Sequence, residues 1–340
     1  MTTKVSLDEL LDLATRALIV ANTSCETARV VANALVAADA DGLSSHGVSR
    51  VPFYADQVLS GKVDGQAEPQ LQLTAGSAVH VDAKDGFAFP AIKLGIERAL
   101  TLVEDAGIVG VGIANSHHCG AGSYHVEPVA ERGYVAVGFS NTPSGMAPCG
   151  GFKGTLGTNP IAFACPREHA RPLVIDLSLS KVARGKVMLA EKKGESIPDD
   201  WALDAEGKPT TDPSAALAGT MVPIGDAKGA ALALMVEILA AGLTGSNFAF
   251  QASSFFTAQG PPPRIGQFFI MIDPAKFNRD GFSAHVEQLT QEILGQKGAR
   301  LPGDRRLALR EKSKREGVAI ADELYQELVR RTRQNVSGQR

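Results

Sequence analysis

Residues 45–50, of sequence SHGVSR, place the hydroxyl of Ser45, the imidazole of His46 and the guanidinium of Arg50 close together in the chain. An imidazole beside a hydroxyl is a proton donor with an orienting group, and a guanidinium grips a carboxylate through two parallel hydrogen bonds. This set suits the reduction of a small molecule that carries a carboxylate. The alternative is that Ser45 and His46 only cap helices across a short turn, which is the commoner fate of an isolated Ser-His pair.

Helical patterns flank this segment on both sides. Residues 6–9, SLDE, form a capping box that opens a first amphipathic helix. A second helix is predicted over residues 24–41, where Gly42 is suited to end it, and a third over about 49–61. Residues 45–50 are therefore predicted to lie in a short turn that is fixed at both ends.

From about residue 71 the pattern changes to strands with interspersed helices. Strands are predicted at residues 78–82, 107–115, 134–141, 159–165, 172–177 and 265–273. Helices are predicted at residues 90–104, 227–243, 282–294 and 311–333, and the apolar composition of 227–243 indicates a buried helix. The sequence thus predicts a mixed α/β (α+β) fold with a helical domain from residues 1–70 and 280–340 around a central α/β domain of residues 71–279.

Composition narrows the classes of function. The 340 residues are 44% hydrophobic, enough for a large core, and a net charge of -3 argues against a nucleic-acid partner. No apolar stretch reaches the roughly twenty residues of a membrane span, and no secretory pattern opens the chain, so we expect a cytoplasmic protein without a membrane partner. The four cysteines form no Cys-x-x-Cys pair and no metal-ligand cluster is evident, so no metal is expected.

A glycine-rich turn, residues 120–125 of sequence GAGSYH, follows a predicted strand and opens a helix. It departs from the Rossmann fingerprint, because His125 replaces the third glycine and no acidic residue follows about twenty positions later. Its backbone N–H groups can still bind a phosphate at the helix N-terminus. Cys119 just before it is interpreted as a small packing residue rather than a nucleophile, since sequence neighbours rarely point at one another.

The chain as a whole resembles the malate/L-lactate dehydrogenase-like oxidoreductases, a family with a non-Rossmann NAD(P)-binding fold. Four segments in order carry the resemblance over nearly the full length: SHGVSR at 45–50, NSHHCG at 115–120, GTLGTNP at 154–160 and LPGDR at 301–305. Within the family the chain looks most like the Δ1-piperideine-2-carboxylate/Δ1-pyrroline-2-carboxylate reductases, through the paired histidines 117–118 and residues 126–130 and 228–235. The resemblance implies that residues 71–279 bind NAD(P) on a mixed sheet and that a homodimer builds the site.

The resemblance also implies roles for individual residues. The proton donor would be His46 oriented by Ser45, or His118, as in some keto-acid and hydroxy-acid members, while Arg50 would hold the substrate carboxylate. Asp176 either takes part in catalysis through a relay with Ser45 or caps a helix near Ser178. Thr158 would contact the substrate. The implied cofactor contacts are His118, Cys119, Gly120, Ala121, Gly122, Ser140, Asp176, Leu177, Ser178, Lys228, Gly303, Asp304 and Arg305.

These roles imply NAD(P)H-dependent reduction of cyclic imino acids to L-proline or L-pipecolate. The resemblance to these reductases implies NADPH as the cofactor. Arg305 and Arg306 can receive its 2′-phosphate, although Asp304 can equally hydrogen-bond the free ribose hydroxyl of NADH. One alternative is a dehydrogenase of a linear 2-hydroxy acid such as malate, lactate, ureidoglycolate or sulfolactate. An alternative of another class is a catalytically silent nucleotide- or ligand-binding protein, which the joint presence of the proposed catalytic residues disfavours.

Overall fold

The computed structural model describes residues 1–333, which form a mixed α/β architecture. The helices are α1 (Leu7–Val20), α2 (Cys25–Ala40), α3 (Val51–Leu59), α4 (Ala88–Leu100), α5 (Val103–Ala106), α6 (Gly122–Glu131), α7 (Arg184–Lys193), α8 (Pro213–Ala218), α9 (Ala227–Val236), α10 (Ala275–Asn278), α11 (Phe282–Leu294), α12 (Asp304–Glu316) and α13 (Asp322–Arg331). The strands are β1 (Thr2–Val5), β2 (Gln70–Ala75), β3 (Ala78–Asp82), β4 (Ile108–Ser116), β5 (Val135–Ser140), β6 (Ile161–Cys165), β7 (Leu173–Leu177), β8 (Ala202–Leu203), β9 (Thr220–Met221), β10 (Ile265–Ile272) and β11 (Val318–Ala321). No helix within residues 1–333 is long and apolar enough to cross a membrane.

A seven-stranded sheet forms the centre, in the order β2-β3-β4-β10-β5-β6-β7. Only β3 and β4 run parallel, so the predicted mixed sheet is confirmed. Because side chains alternate across a strand, each face of the sheet has its own core. One core packs α4 and α6 against the sheet, and the other packs α7, α8 and α9 against the opposite face.

The N-terminal helices begin where the sequence predicts. The side chains of Ser6 and Ser24 each accept a hydrogen bond from the backbone N–H three residues ahead, which caps α1 and α2. These helices, α3 and α13 share a third apolar core with the strand pair β1 and β11. The division into domains at residues 70 and 280 stays a prediction.

The predicted single helix over 311–333 is wrong. Helix α12 ends at Gly317, whose φ of 77° favours glycine, and residues 318–321 form β11, which pairs antiparallel with β1. Helix α13 then begins at Asp322. The charged sequence favours a helix locally, but the free edge of a strand more than three hundred residues away overrides that preference.

Two other predicted helices differ in detail. The helix predicted over 90–104 is interrupted at Thr101, whose hydroxyl hydrogen-bonds to the carbonyl oxygen of Arg98 and ends α4. The segment 227–243 is helical, as α9 followed by a π-helical turn, but it is only half buried. The prediction of a buried helix is wrong because large apolar side chains face outward along it: Leu232, Leu234, Met235, Ile238 and Leu243.

Candidate active site

The predicted turn before α3 consists of two 3-10 turns, Ser44–His46 and Val48–Arg50. Asp39 of α2 fixes it, because its Oδ2 accepts a hydrogen bond from the Val48 N–H at 2.7 Å. A side chain at Gly47 would overlap the Asp39 carboxylate, so only glycine fits between them. The turn therefore presents Ser45, His46 and Arg50 from a backbone that is held at both ends.

Arg50 is buried, yet no carboxylate of residues 1–333 pairs with it. Its Nε donates to the Ser45 carbonyl oxygen at 2.7 Å, and its guanidinium lies 4.7 Å from the ring centroid of Phe256. One terminal nitrogen is buried without a hydrogen-bond partner. A buried cation with an unused donor costs free energy unless an anion binds to it. The Arg50 guanidinium is therefore suited to bind a carboxylate.

Two candidate proton donors stand beside this guanidinium. The rings of His46 and His118 lie 5.5 Å apart between centroids. The Nδ1 of His46 lies 3.0 Å from the Ser45 hydroxyl, and the Nδ1 of His118 lies 2.6 Å from the hydroxyl of Tyr54. Burial raises the pKa of Tyr54, so its hydroxyl stays protonated and can donate to Nδ1. Because a hydroxyl can also accept from Nδ1–H, this contact orients the ring whether His118 is neutral or protonated.

Burial and the charge of Arg50 set the protonation of both imidazoles. Burial, then Arg50, lowers the pKa of His46 to about 4. Burial, Arg50 and the neighbouring histidines hold the pKa of His118 well below 6.5. Both rings are therefore neutral at neutral pH in the free protein. A substrate carboxylate on Arg50 would offset its charge and favour an imidazolium where the reaction needs one.

The two remaining buried histidines have structural contacts. His117 Nε2 lies 2.7 Å from the Gln57 side-chain oxygen, and His125 Nε2 lies 2.8 Å from the carbonyl oxygen of Cys119. Burial lowers the pKa of His117 to about 3 and that of His125 to about 4, so both stay neutral. Burial also raises the pKa of Cys119 to about 11, which keeps its thiol protonated and agrees with a packing role.

A cavity of about 1130 Å³ joins these groups to the cofactor residues predicted from the sequence. It exceeds the roughly 300–1,000 Å³ of a site for one drug-sized ligand, so it has room for a dinucleotide and a small acid. The predicted site residues that line it are Ser45, His46, Arg50, His118, Cys119, Gly120, Ala121, Gly122, Ser140, Thr158, Asp176, Leu177, Ser178, Gly303 and Arg305.

Two predicted cofactor residues do not line this cavity. Lys228 is exposed at the start of α9. Asp304 accepts a hydrogen bond from the Leu301 N–H at 2.8 Å and borders a separate, smaller cavity. Neither side chain therefore lies with the other predicted site residues in this structure, and the cofactor roles of Lys228 and Asp304 stay predictions.

Asp176 has a different contact from either role foreseen for it. Its Oδ2 accepts a hydrogen bond from the Ser123 N–H at 2.8 Å, so it caps α6 across the chain rather than a helix near Ser178. The next helix, α7, begins only at Arg184. Burial raises the pKa of Asp176, although its hydrogen bonds partly oppose that effect.

The lining residues fit the phosphates of a nucleotide. Gly122 opens α6, and a side chain there would meet Ala162 at 2.8 Å, so the close approach needs glycine. Arg305 is exposed at the rim, and no carboxylate of residues 1–333 pairs with it. Its neighbour Arg306 is instead bound to Asp41 and Glu127 at 2.9 and 2.7 Å. Arg305 is thus available to hold a phosphate, whereas the Ser123 N–H at the start of α6 is already bound to Asp176.

Several site residues were not predicted from the sequence. Tyr54 lies on α3, and its contact with His118 depends on a segment sixty-four residues away. Arg184 and the aromatic pair Phe255 and Phe256 also line the cavity, and they come from a helix start and a loop without a motif. Residue spacing gave no signal for the Tyr54 contact or for these lining residues.

Comparison with known proteins identifies the class. The model of the malate/L-lactate dehydrogenase family matches residues 5–329, and the chain belongs to that family. It is 55% identical to a (2R)-3-sulfolactate dehydrogenase (NADP(+)) of Chromohalobacter salexigens, over 96% of this chain and 98% of that protein. It is 40% identical to a Δ1-pyrroline-2-carboxylate/Δ1-piperideine-2-carboxylate reductase of Pseudomonas syringae pv. tomato, over 94% of each.

A comparison with solved structures identifies the same family. The crystal structure of a Δ1-piperideine-2-carboxylate reductase from Pseudomonas syringae matches with a TM-score of 0.92 at 39% identity, over 97% of this chain and 100% of that chain. The predicted family and mixed α/β fold are confirmed. The protein is an NAD(P)-dependent oxidoreductase, and the alternative of a silent binding protein is set aside.

Proposed function

We propose that this protein is an NADP-dependent dehydrogenase of a small 2-hydroxy acid that carries a second anionic group, with 3-sulfolactate as the leading substrate. The observation that carries the proposal is the guanidinium of Arg184, which lines the cavity near the turn that holds Arg50. Arg50 lines the same cavity, and no carboxylate of residues 1–333 pairs with either guanidinium. A substrate with a carboxylate and a sulfonate on one short carbon chain would give Arg50 and Arg184 an anionic partner each.

The position of Arg184 supports this assignment. Its neighbour Gly185 lies against Ser45, since a Cβ added to Gly185 would be 3.5 Å from the Ser45 Cβ. The start of α7 therefore borders the turn of residues 44–50, which we call the catalytic turn. One nitrogen of Arg184 donates to the Leu217 carbonyl oxygen at 2.8 Å. Burial lowers the pKa of this guanidinium, which means that it has lost part of its hydration and gains from an anionic partner.

The residues then divide the reaction between them. When bound, reduced nicotinamide supplies a hydride to the carbonyl carbon of the 2-oxo acid. Arg50 orients the carboxylate next to that carbon, and Arg184 holds the distal sulfonate. His118, as the imidazolium, donates its Nε2 proton to the carbonyl oxygen and becomes neutral, while the Tyr54 hydroxyl beside Nδ1 fixes the ring. His46 and Ser45 line the cavity next to His118.

Arg184→Met is expected to raise KM for 3-sulfopyruvate about tenfold to a hundredfold, since hydrogen bonds to a charged group are lost. KM for pyruvate, which has no sulfonate, should stay within about twofold of its wild-type value by the same reasoning. Steady-state kinetics with the two acids measures both values. An equal rise for both acids would contradict a sulfonate contact at Arg184.

Cyclic imines are the second candidate substrates. The aromatic rings of Phe255 and Phe256 beside Arg50 offer an apolar wall to a five- or six-membered ring, and the relatives of about 40% identity are reductases of such compounds. A ring with one carboxylate would engage Arg50 and leave Arg184 without an anion. Activity with these imines that does not change in Arg184→Met would favour this candidate over the sulfonate.

The cofactor proposed is NADPH rather than NADH. Arg305 is exposed at the cavity rim and pairs with no carboxylate of residues 1–333, so it can meet a 2′-phosphate. Titration of the protein with each cofactor, followed by the fluorescence of the reduced nicotinamide, compares the two affinities. Tighter binding of NADH would contradict this assignment.

We also propose that the protein is a homodimer. Exposed apolar side chains along residues 227–243 form a continuous helical face, and Leu234 and Ile238 lie one turn apart on it. A second copy of the same helix can cover such a face symmetrically. The double variant Leu234→Glu/Ile238→Glu should have half the wild-type mass by light scattering, whereas Leu294→Glu on α11 should not. A monomeric wild-type protein would contradict the proposal.

A further inference from the structure

Lys62, just after α3, has an unusual environment for a lysine. The residue is 2% exposed, and its ammonium donates to the carbonyl oxygens of Ser254, Thr257 and Gln259 at 2.6, 3.0 and 3.0 Å. Three carbonyls satisfy all three donors of an ammonium. No carboxylate of residues 1–333 pairs with it, so the charge is held by backbone dipoles alone.

The carbonyls that bind Lys62 belong to one segment, residues 252–260, which has neither helix nor strand. This segment carries the aromatic wall of the cavity. Phe256 lies against the guanidinium of Arg50, and the ring of Phe255 lies 5.1 Å from that of His118 between centroids. An irregular segment has few bonds of its own to fix its backbone, so the position of this wall depends on external contacts.

Two further hydrogen bonds attach the same segment to α3 and its end, and the Phe256 ring lies edge-on to Phe53 of α3, at 5.8 Å between centroids. Gln57 Nε2 donates to the Phe255 carbonyl oxygen at 2.7 Å, and the Ser60 hydroxyl donates to the Ala258 carbonyl oxygen at 2.9 Å. Lys62 contributes three bonds where each of these contributes one. Without Lys62 the segment would stay attached but would gain freedom at residues 254, 257 and 259.

We propose that Lys62 is a positioning residue for the substrate. It clamps residues 252–260 onto α3 so that Phe256 stays over Arg50, and through Phe256 it determines how the guanidinium meets the substrate carboxylate. A ring held over one face of the guanidinium leaves the edge of its planar fork for the carboxylate. The expected changes in KM rest on the proposed function. The attachment of residues 252–260 to α3 by Lys62, which we call the clamp, does not.

The test compares Lys62→Met with Lys93→Met, the same substitution at an exposed lysine of α4. Lys62→Met should raise KM for the 2-oxo acid about tenfold, the effect of one desolvated cation–π contact, and change kcat much less. Its affinity for NADPH should not change. Hydrogen exchange of residues 252–260 should become faster than in Lys93→Met.

A second variant separates positioning from general loss of structure. Phe256→Leu should raise KM to a similar extent, and the double variant Lys62→Met/Phe256→Leu should be no worse than either single one, because both remove the same effect. Independent, multiplying effects on KM would overturn the proposal, as would a wild-type KM in Lys62→Met. If Lys62→Met does not fold, Lys62→Gln, which can keep two of the three bonds, should give an intermediate KM.

Failure of the proposed function has a different signature. Wild-type protein that reduces none of the offered acids or imines would refute that function. The clamp would still be decided by exchange, since unchanged protection of residues 252–260 in Lys62→Met would refute it.

Discussion

Arg50→Met is expected to lower kcat/KM for the acid substrate about a thousandfold without lowering the free energy of unfolding. Truncating one partner of a buried, hydrogen-bonded charge pair costs about 2–5 kcal/mol in binding. The free protein has no such pair, because no carboxylate of residues 1–333 meets this guanidinium and one of its nitrogens has no partner. Methionine therefore removes an uncompensated buried charge, and stability should stay equal or rise.

Activity and thermal unfolding of the same preparation test this expectation. Arg16→Met, at an exposed arginine of α1 paired with Asp12, is the matched control and should leave both unchanged. A fall in Tm that accompanies the loss of activity would mean that Arg50 holds the turn together through its bond to Ser45. That result would contradict a role in carboxylate binding.

His118→Asn is expected to lower kcat about a thousandfold, within the range of about 10²–10⁴ for a general acid, and His46→Asn only about tenfold. The reason is the Tyr54 contact, which fixes the ring of His118 from within the core, whereas His46 is oriented by its own neighbour Ser45. His169→Asn, at an exposed histidine, controls for the substitution itself.

The pH profile of the wild-type enzyme should agree with this assignment. Since the pKa of His118 in the free protein lies well below 6.5, its protonated fraction falls about tenfold for each pH unit across the neutral range. kcat/KM for 2-oxo acid reduction should therefore fall as pH rises, while kcat/KM for hydroxy-acid oxidation, which needs the neutral ring, should be flat. A larger loss in His46→Asn than in His118→Asn would contradict the assignment and make His46 the donor.

Local signals in the sequence were sufficient for much of the scaffold. The capping serines 6 and 24 fix the first two helices, and the apolar runs locate six of the seven strands of the central sheet. The edge strand β2 was not predicted. The catalytic turn could be predicted because its residues are adjacent in the chain. The site around Arg50 and His118 came from the family resemblance, and its cavity brings together fifteen of the residues so implied.

Features that depend on distant partners could not be predicted in this way. β11 forms only because β1 offers an edge, and Asp176 caps α6 because the sheet brings β7 beside it. Arg184 and Phe256 belong to segments with no motif, so only the folded chain shows that they line the cavity. The exposure of residues 227–243 was missed for a related reason, since apolar composition alone does not distinguish a core from an uncovered face.

The most direct measurement is the oxidation of NADPH, followed by absorbance at one enzyme concentration, with 3-sulfopyruvate, pyruvate, Δ1-pyrroline-2-carboxylate and Δ1-piperideine-2-carboxylate offered in parallel. We expect the highest kcat/KM with 3-sulfopyruvate, because it alone presents anions to both Arg50 and Arg184. Turnover of the cyclic imines alone would contradict the proposed function and assign the cavity to a ring with a single carboxylate.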